Sequence, residues 1–325
     1  MESLKDKSGE EIRVSICCAA YNHGKYLREC LEGFLMQETD FRYEILVHND
    51  ASTDDTGKII EEYSRKYPEI VREIRQSSNQ YQAGNRAIVT KFLLPVAKGD
   101  LIAICEGDDY WIDPVKLQKQ VEVMDSDSSL AASIHSTRVT DLQGKVCGHF
   151  KPANRERLIN TPEIIKWRHN FCHISSLIYR KNLMEAYPEY CTNCHVGDFP
   201  LMLWLSLKGG IYYINREMST YRKFTPHSWT ELYKDCPFEK RMEFVNTEIV
   251  MLNGIDVESC HKYSKSIRKK SNRLLIYALW RYRKIKQLRR SGYLRKILRM
   301  PFYKSVRILF IVHICSRIKE IVNHE

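Results

Sequence analysis

No stretch of this 325-residue chain approaches the roughly 20 consecutive apolar residues of a membrane-crossing helix. The longest late candidate, Ile308 to Cys315, is too short and is flanked by Arg307 and Arg317. The opening residues, Met-Glu-Ser-Leu-Lys-Asp-Lys-Ser, lack the apolar core of a secretory signal. Nor do the cysteines suggest a disulfide framework. There are 11, an odd number and scattered, and Cys17, Cys18 and Cys105 lie inside apolar runs, so they read as reduced interior residues. These absences place the expected location in the cytoplasm. Also missing is a Gly-rich, Arg- or Lys-bearing phosphate loop after the first apolar run, which a nucleotidyltransferase would need. No base-stacking or groove-reading motif supports a nucleic-acid-binding protein, and no nucleic-acid partner is expected.

What is present is a globular composition. Hydrophobic residues make up 43% of the chain, enough to bury the core of one large or two medium domains. The formal charge of +11 is unevenly placed. From His261 onward there are 19 Lys and Arg against Glu320 and Glu325, a balance of +17, which leaves −6 for the first 260 residues. A mildly acidic body with a basic tail points to an anionic surface as partner. In that tail Phe302, Val306, Phe310, Ile314 and Ile318 share one helical face, with Lys304, Arg307, Arg317 and Lys319 elsewhere. Such a helix suits a peripheral contact with the inner face of the cell membrane, and equally a helical layer packed on the protein.

From residue 13 to 126 strands and helices alternate. Arg13 to Ala20 reads as a buried strand, and Lys25 to Gln37 as a helix with Leu27, Leu31, Phe34 and Leu35 inward. Tyr43 to His48 is a second strand, followed by a loop able to cap a helix through Ile59, Ile60 and Tyr63. Val71 to Arg75 is a third strand, Ala87 to Ala97 a helix, and Leu101 to Cys105 a fourth strand. This alternation predicts an α/β fold, Rossmann-like, with a mainly parallel sheet and flanking helices. Ligands bind such sheets beyond the carboxyl ends of the strands. Those ends carry Tyr21-Asn22, Asn49-Asp50, Ser78-Asn79 and Glu106-Gly107-Asp108, so four polar loops converge on one crevice.

The fourth strand ends in three carboxylates, Glu106, Asp108 and Asp109. Like charges gathered at the end of a buried strand need a compensating cation or hydrogen-bond network. Oxygen ligands of this type suit Mg²⁺ or Mn²⁺, which keep open positions for phosphate oxygens. The competing reading is an Asp-rich turn in which Asp109 or Asp113 caps the helix that begins near Pro114. Asp50 as an Asx-turn residue and Asn79 as a loop capper are likewise readings without a ligand.

The second half differs. Leu130 to Val139 and Val146 to Phe150 read as strands joined by the turn at Asp141 to Gly144, and Thr161 starts a helix. Ile174 to Tyr179 is a further strand, and an apolar helix from Leu201 to Leu207 is stopped by Gly209-Gly210. Ile211 to Ile214 and Met218 to Arg222 suggest an edge hairpin. Cys191-Thr-Asn-Cys194-His195 fits a haem-attachment pattern, but no export signal or distal ligand accompanies it, and zinc would need a second Cys or His pair. His173 reads as a wall of the second half or as a satisfied interior histidine. Two further helical stretches follow, Glu231 to Leu252 and Val257 to Arg290.

Three motifs, "VSICCAAYNHGKYL", "EILVHNDASTDDT" and "AKGDLIAICEGDDYWIDPVKLQKQV", closely resemble the family 2 glycosyltransferases of GT-A fold, especially the bacterial ones that build surface polysaccharides. The resemblance covers about residues 12 to 225. It implies a GT-A catalytic domain over 1–230, with a nucleotide-sugar-binding half at 12–126 and an acceptor half at 127–230, and a basic C-terminal helical region over 231–325. By the same resemblance Ala20, Asn22, Asp50, Asn79, Glu106, Gly107, Asp108 and Arg222 form the donor site. Asp50 would meet a uracil ring, and Asp108 would be the principal ligand of a Mn²⁺ or Mg²⁺ ion. Glu106 stands where the family has its first Asp and is one methylene longer, so whether it touches the metal, the ribose or neither stays open. His227 is a further metal or diphosphate candidate beside Arg222. Asp198, in Gly197-Asp198-Phe199-Pro200, would be the general base, with a plain helix cap as the other reading. The implied activity is inverting transfer of a sugar, from a UDP-sugar donor, to a hydroxyl of a glycan or lipid-linked acceptor.

Overall fold

The structure, a computed structural model, describes residues 11–166, 171–225, 236–284 and 287. The basic amphipathic stretch at 302–318 and His227 lie outside the described residues. Cα packing divides the chain into two units, 1–231 and 232–325.

The first unit is built on one ten-stranded sheet in the order β3-β2-β1-β4-β9-β6-β10-β5, with β7 added to β6 and β8 to β10. Its first four strands are parallel: β3 (Val71–Arg75), β2 (Arg42–Asn49), β1 (Ile12–Ala20) and β4 (Leu101–Glu106). Alternation sends Val14, Ile16, Cys18, Ile45, Val47, Ala103 and Cys105 into one core. There they meet Leu31 and Phe34 of α1 (Leu27–Leu35), Ile60 and Tyr63 of α2 (Thr56–Lys66), and Leu117 and Val121 of α3 (Lys116–Ser126). The approach of α1 needs Gly33, since a Cβ there would lie 2.8 Å from the carbonyl oxygen of Trp111 in β5 (Tyr110–Trp111).

Past β4 the sheet becomes mixed. The short β9 (Ile178–Arg180) pairs antiparallel with both β4 and β6 (Leu130–Thr140) and so joins the two halves. Along the other edge of β6 runs β10 (Gly210–Arg222), parallel to it. Here the expected edge hairpin is replaced by one continuous strand. Asn215-Arg216-Glu217 reads as a turn but forms part of an irregularity in register between Ile214 and Ser219, and both sides of it pair with β6. Antiparallel additions come from β5, β7 (Val146–Phe150) and β8 (Arg157–Ile159).

Two other segments differ from expectation. Ile174–Ser176 is a tight 3₁₀ turn rather than strand, and only the following residues pair in β9. The helix expected over Ala87 to Ala97 is one wide π-type stretch, Val89–Leu93, followed by a 3₁₀ turn, Leu94–Val96. Pro95 has no N–H to donate and its ring would clash with the carbonyl four residues back in a regular helix. Three further helices complete the unit: α4 (Thr161–Ile165), α5 (Glu189–Thr192) and α6 (Asp198–Lys208). The first carries a capping box of Asn160 and Glu163.

In the second unit, α7 (Phe238–Glu258) and α8 (Ser264–Arg281) are joined by a turn in which Cys260 and His261 take left-handed backbone angles. Glu248 of α7 and Lys270 of α8 approach to 3.5 Å. The break falls later than expected, because Gly254 is absorbed within α7 and the Asp256 carboxylate instead accepts from the Ser264 hydroxyl at 2.8 Å. No helix among the described residues is long and apolar enough to cross a membrane.

Candidate functional site

The site forms where β1, β2 and β4 end together. Glu106 is the last residue of β4, and the Gly107 N–H donates to Ala19 O at 2.9 Å, which turns the chain back over β1. Only glycine fits there: a Cβ on residue 107 would lie 2.9 Å from His23 Nδ1 and 3.1 Å from Ala20 Cβ. Asp108 and Asp109 follow on the turned segment. Asp108 Oδ2 accepts from Thr225 Oγ1 at 2.8 Å, while Oδ1 is buried without a hydrogen bond and lies 3.9 Å from His23 Nε2. Asp109 is fully buried. Its Oδ1 accepts from the Arg222 N–H at 2.9 Å, and its Oδ2, also without a hydrogen bond, lies 3.6 Å from His173 Nε2.

Arg222 organises this loop from beneath. It is 7% exposed and donates from Nη1 to Asp108 O at 2.6 Å and from Nη2 to the Glu29 carboxylate. Its guanidinium also lies over the rings of Tyr110, at 4.3 Å, and Tyr26, at 5.3 Å.

The neighbouring loops are held by their own polar side chains. Asn22 adopts a left-handed φ of 56°, and its Oδ1 accepts from the Thr53 N–H at 2.8 Å. Ala20 is buried and its carbonyl accepts from the Asp50 N–H at 3.0 Å. The Asp50 carboxylate accepts from the N–H groups of Gln80 at 2.7 Å and Tyr81 at 3.0 Å, fixing the loop after β3. In that loop Asn79 Oδ1 accepts from the Gln82 N–H at 2.7 Å. Asp50 and Asn79 therefore act as loop fasteners here, and a carboxylate with about four acceptor sites keeps capacity for a further donor.

The electrostatics of the acids follow from this crowding. Glu106 reaches solvent at the cleft mouth but is walled by protein, and its pKa is pushed up to about 8 by loss of bulk water, then by the charges of Asp108 and Asp198. Asp109 is raised well above the ordinary range by burial, with Asp108 and Glu106 adding to it and Arg222 opposing. One oxygen from each of Glu106, Asp108 and Asp109 can be chosen so that all lie within 4.8 Å of one another. Two of these acids present buried oxygens with no hydrogen bond, so the donor set fits a hard divalent cation. Among the described residues this is the one grouping of acidic, His and Cys atoms with that geometry.

Asp198 is exposed at the start of α6, its Oδ1 accepting from the Phe199 N–H at 2.7 Å. Its charge raises the pKa of both Glu106 and the buried Cys172. Cys191 and Cys194 are packed in the interior. His173 accompanies Asp109, and burial lowers its pKa to about 4, so the ring is neutral at physiological pH.

The structure thus brings Ala20, Asn22, Asp50, Asn79, Glu106, Gly107, Asp108 and Arg222 around the carboxyl edge of the sheet. Sequence reasoning passed over His23, Thr225 and the close tie of His173 to Asp109. The position of His23 directly after Asn22 was the available signal. Thr225 had none, since its contact with Asp108 depends on where β10 ends.

Comparison with known proteins gives a consistent result. The model of glycosyl transferase family 2 matches residues 15–186. An uncharacterized protein of Mycobacterium tuberculosis is 33% identical over 222 residues, covering 68% of this chain and 62% of its own length. The chain thus spans less than two thirds of that curated relative. Among solved structures, S. aureus TarS (residues 1–349) in complex with UDP-GlcNAc superposes with a TM-score of 0.56 at 17% identity, covering 92% of this chain and 80% of that one. The mannosyltransferase PcManGT of Pyrobaculum calidifontis, in complex with GDP-Man and Mn²⁺, gives 0.53 at 14% identity, covering 99% and 90%. At these identities the superpositions establish the GT-A fold.

Proposed function

Because the chain belongs to glycosyltransferase family 2, we propose that it moves a sugar from a UDP-sugar to a hydroxyl of a glycan or lipid-linked acceptor in surface-polysaccharide synthesis, with inversion at the anomeric carbon. The observation that carries this reading is the pair of buried, unbonded carboxylate oxygens of Asp108 and Asp109 beside Glu106, at the carboxyl edge of parallel strands. It favours transfer over a nucleotidyltransferase or a nucleic-acid-binding protein, neither of which is supported by the loop after β1 or by the family match. TarS and PcManGT were solved with different nucleoside-diphosphate sugars, which supports the donor class.

In this reading Asp108 and Asp109, with Glu106 at the rim, hold a Mn²⁺ or Mg²⁺ ion. Such an ion, when bound, offsets the charge that develops on the leaving diphosphate. Asp50 accepts from the uracil imide, and Ala20, Asn22 and Asn79 shape the base pocket. Arg222 positions the Asp109 carboxylate through its backbone N–H and the Asp108 carbonyl through its guanidinium. Asp198 takes the proton from the acceptor hydroxyl as that oxygen attacks the anomeric carbon from the face opposite the diphosphate. Bond making and breaking occur in one displacement, so no protein nucleophile is needed. For residues 261–325 the +17 balance supports peripheral contact with an anionic membrane surface on the cytoplasmic side.

Thermal-shift titration of the full chain with UDP and Mn²⁺ or Mg²⁺ tests the proposal. The wild type is expected to show a metal-dependent shift, and Asp108→Ala to lose it. Asp198→Asn is expected to keep the shift and lose on the order of 10²-fold or more in transfer rate. A wild type indifferent to UDP with metal overturns the proposal, and near-normal turnover of Asp198→Asn removes that residue as base.

A further inference from the structure

Arg222 reaches the acid cluster, yet its guanidinium pairs with none of the three acids there. Nη1 donates to the Asp108 carbonyl at 2.6 Å and Nη2 to the Glu29 carboxylate, which among the described residues is the arginine's ion-pair partner. The carboxylate of that same Asp108 keeps Oδ1 buried without a hydrogen bond. A guanidinium set beside a carboxylate with open acceptor sites ordinarily closes on it, because its planar fork of N–H donors matches the two oxygens. Such a pair would occupy the lone pairs that a divalent cation needs and would place a positive charge against that cation.

The start of α1 prevents this closure. Glu29 lies in the first turn of that helix, where the unpaired N–H groups favour an ionised carboxylate. The helix itself is firmly seated, since Leu27, Cys30, Leu31 and Phe34 are fully buried on its inner side. Tyr26, just before the helix, adds its ring 5.3 Å from the guanidinium, and Tyr110 holds it from another side at 4.3 Å. The arginine is thus drawn toward α1 by a charge and two ring faces. Glu29 has 58% of its side chain exposed, so its replacement opens no cavity and removes little folding stability.

We propose that Glu29 is a positioning residue for the cation site: it holds the Arg222 guanidinium toward α1 and thereby leaves the Asp108 carboxylate open to a divalent metal. This rests on the glycosyl-transfer reading, in which Asp108 binds the metal, and adds a residue outside the donor loops that sets how tightly the metal is held. The test is electron paramagnetic resonance of free Mn²⁺ in titrations of the full chain with saturating UDP. Glu29→Ala is expected to weaken Mn²⁺ binding on the order of tenfold, while the thermal midpoint without metal stays near that of the wild type, because Arg222 re-pairs with Asp108. Glu32→Ala, which removes a charge one turn along the same helix from a carboxylate bonded to Tyr63, should bind Mn²⁺ like the wild type. In an Arg222→Gln background, Glu29→Ala should have no further effect on Mn²⁺ affinity. Wild-type affinity in Glu29→Ala, equal weakening by Glu32→Ala, or a tenfold loss that persists without Arg222 overturns the role of Glu29 alone. Absence of Mn²⁺ binding by the wild type with UDP removes the metal reading of Asp108 and this role with it.

Discussion

The two ends of the sheet are both buried, yet with opposite chemistry. Around β1, β2 and β4 the interior is apolar, with Val14, Ile16, Ile45, Val47, Leu31 and Phe34 sharing one core. Between α3, β6 and β10 the interior is filled by Gln120, Ser133, His135, Thr137, Ser175 and Ser219. Gln120 Nε2 alone donates to Ser133 O, Ser133 Oγ and Ser176 O at 3.1, 3.1 and 2.9 Å. The apolar end gains stability from burial and tolerates some slack in placement. The polar end depends on directed bonds, which fix position more tightly, and it is this end that backs Asp109 and His173.

The comparison can be broken most directly in the apolar half. Ile45→Ala is expected to cost about 2–5 kcal/mol in urea unfolding, since the cavity cannot fully collapse between β1 and β3, while the UDP shift of the folded fraction is unchanged. In the polar half Gln120→Leu, similar in volume, should cost roughly 1–3 kcal/mol by leaving buried carbonyls of Ser133 and Ser176 without their donor. Were Gln120→Leu neutral, the polar interior would be incidental.

A pH-dependent effect concerns Lys116, fully buried with Nζ 3.9 Å from the centroid of the Trp111 ring and without a hydrogen bond. Burial lowers its pKa from 10.5 to about 7, with Cys105 and Asp113 opposing. Below pH 7 native and unfolded chains both hold the proton, and the penalty is constant. Between about 7 and 10.5 the unfolded chain holds a proton that the native state has released. Native stability therefore rises with pH across that window, by at most about 1.4 kcal/mol per unit. Lys116→Met should flatten this component, as read from urea midpoints at pH 6, 8 and 9. Parallel wild-type and variant profiles would refute it.

The same contrast explains what could be read from the residues alone. Strands such as Leu101–Cys105 stand out because apolar runs bounded by polar loops have few other uses, and the acids closing β4 mark the crevice. The sequence of the long β10 reads as an edge hairpin because Asn215, Arg216 and Glu217 look solvent-facing, and only pairing on both sides of the irregularity shows otherwise. Likewise Arg222 carries a charge that suggests exposure. Its burial depends on Glu29 and the Asp108 carbonyl, partners distant in sequence. Periodicity reports which faces are apolar, but it is silent on which polar groups find one another.

One tie described above bears on the order in which the protein is made. The bond from the Arg222 N–H to Asp109 joins residues 113 positions apart. A ribosome delivers the acids of the β4 turn long before the strand that aims them, and closing so long a loop is slow compared with local helix formation. A chain released before residue 222 therefore carries every carboxylate of the cluster but lacks the bonds that hold Asp109 and the Asp108 carbonyl, which form only when the last strand among the described residues is in place.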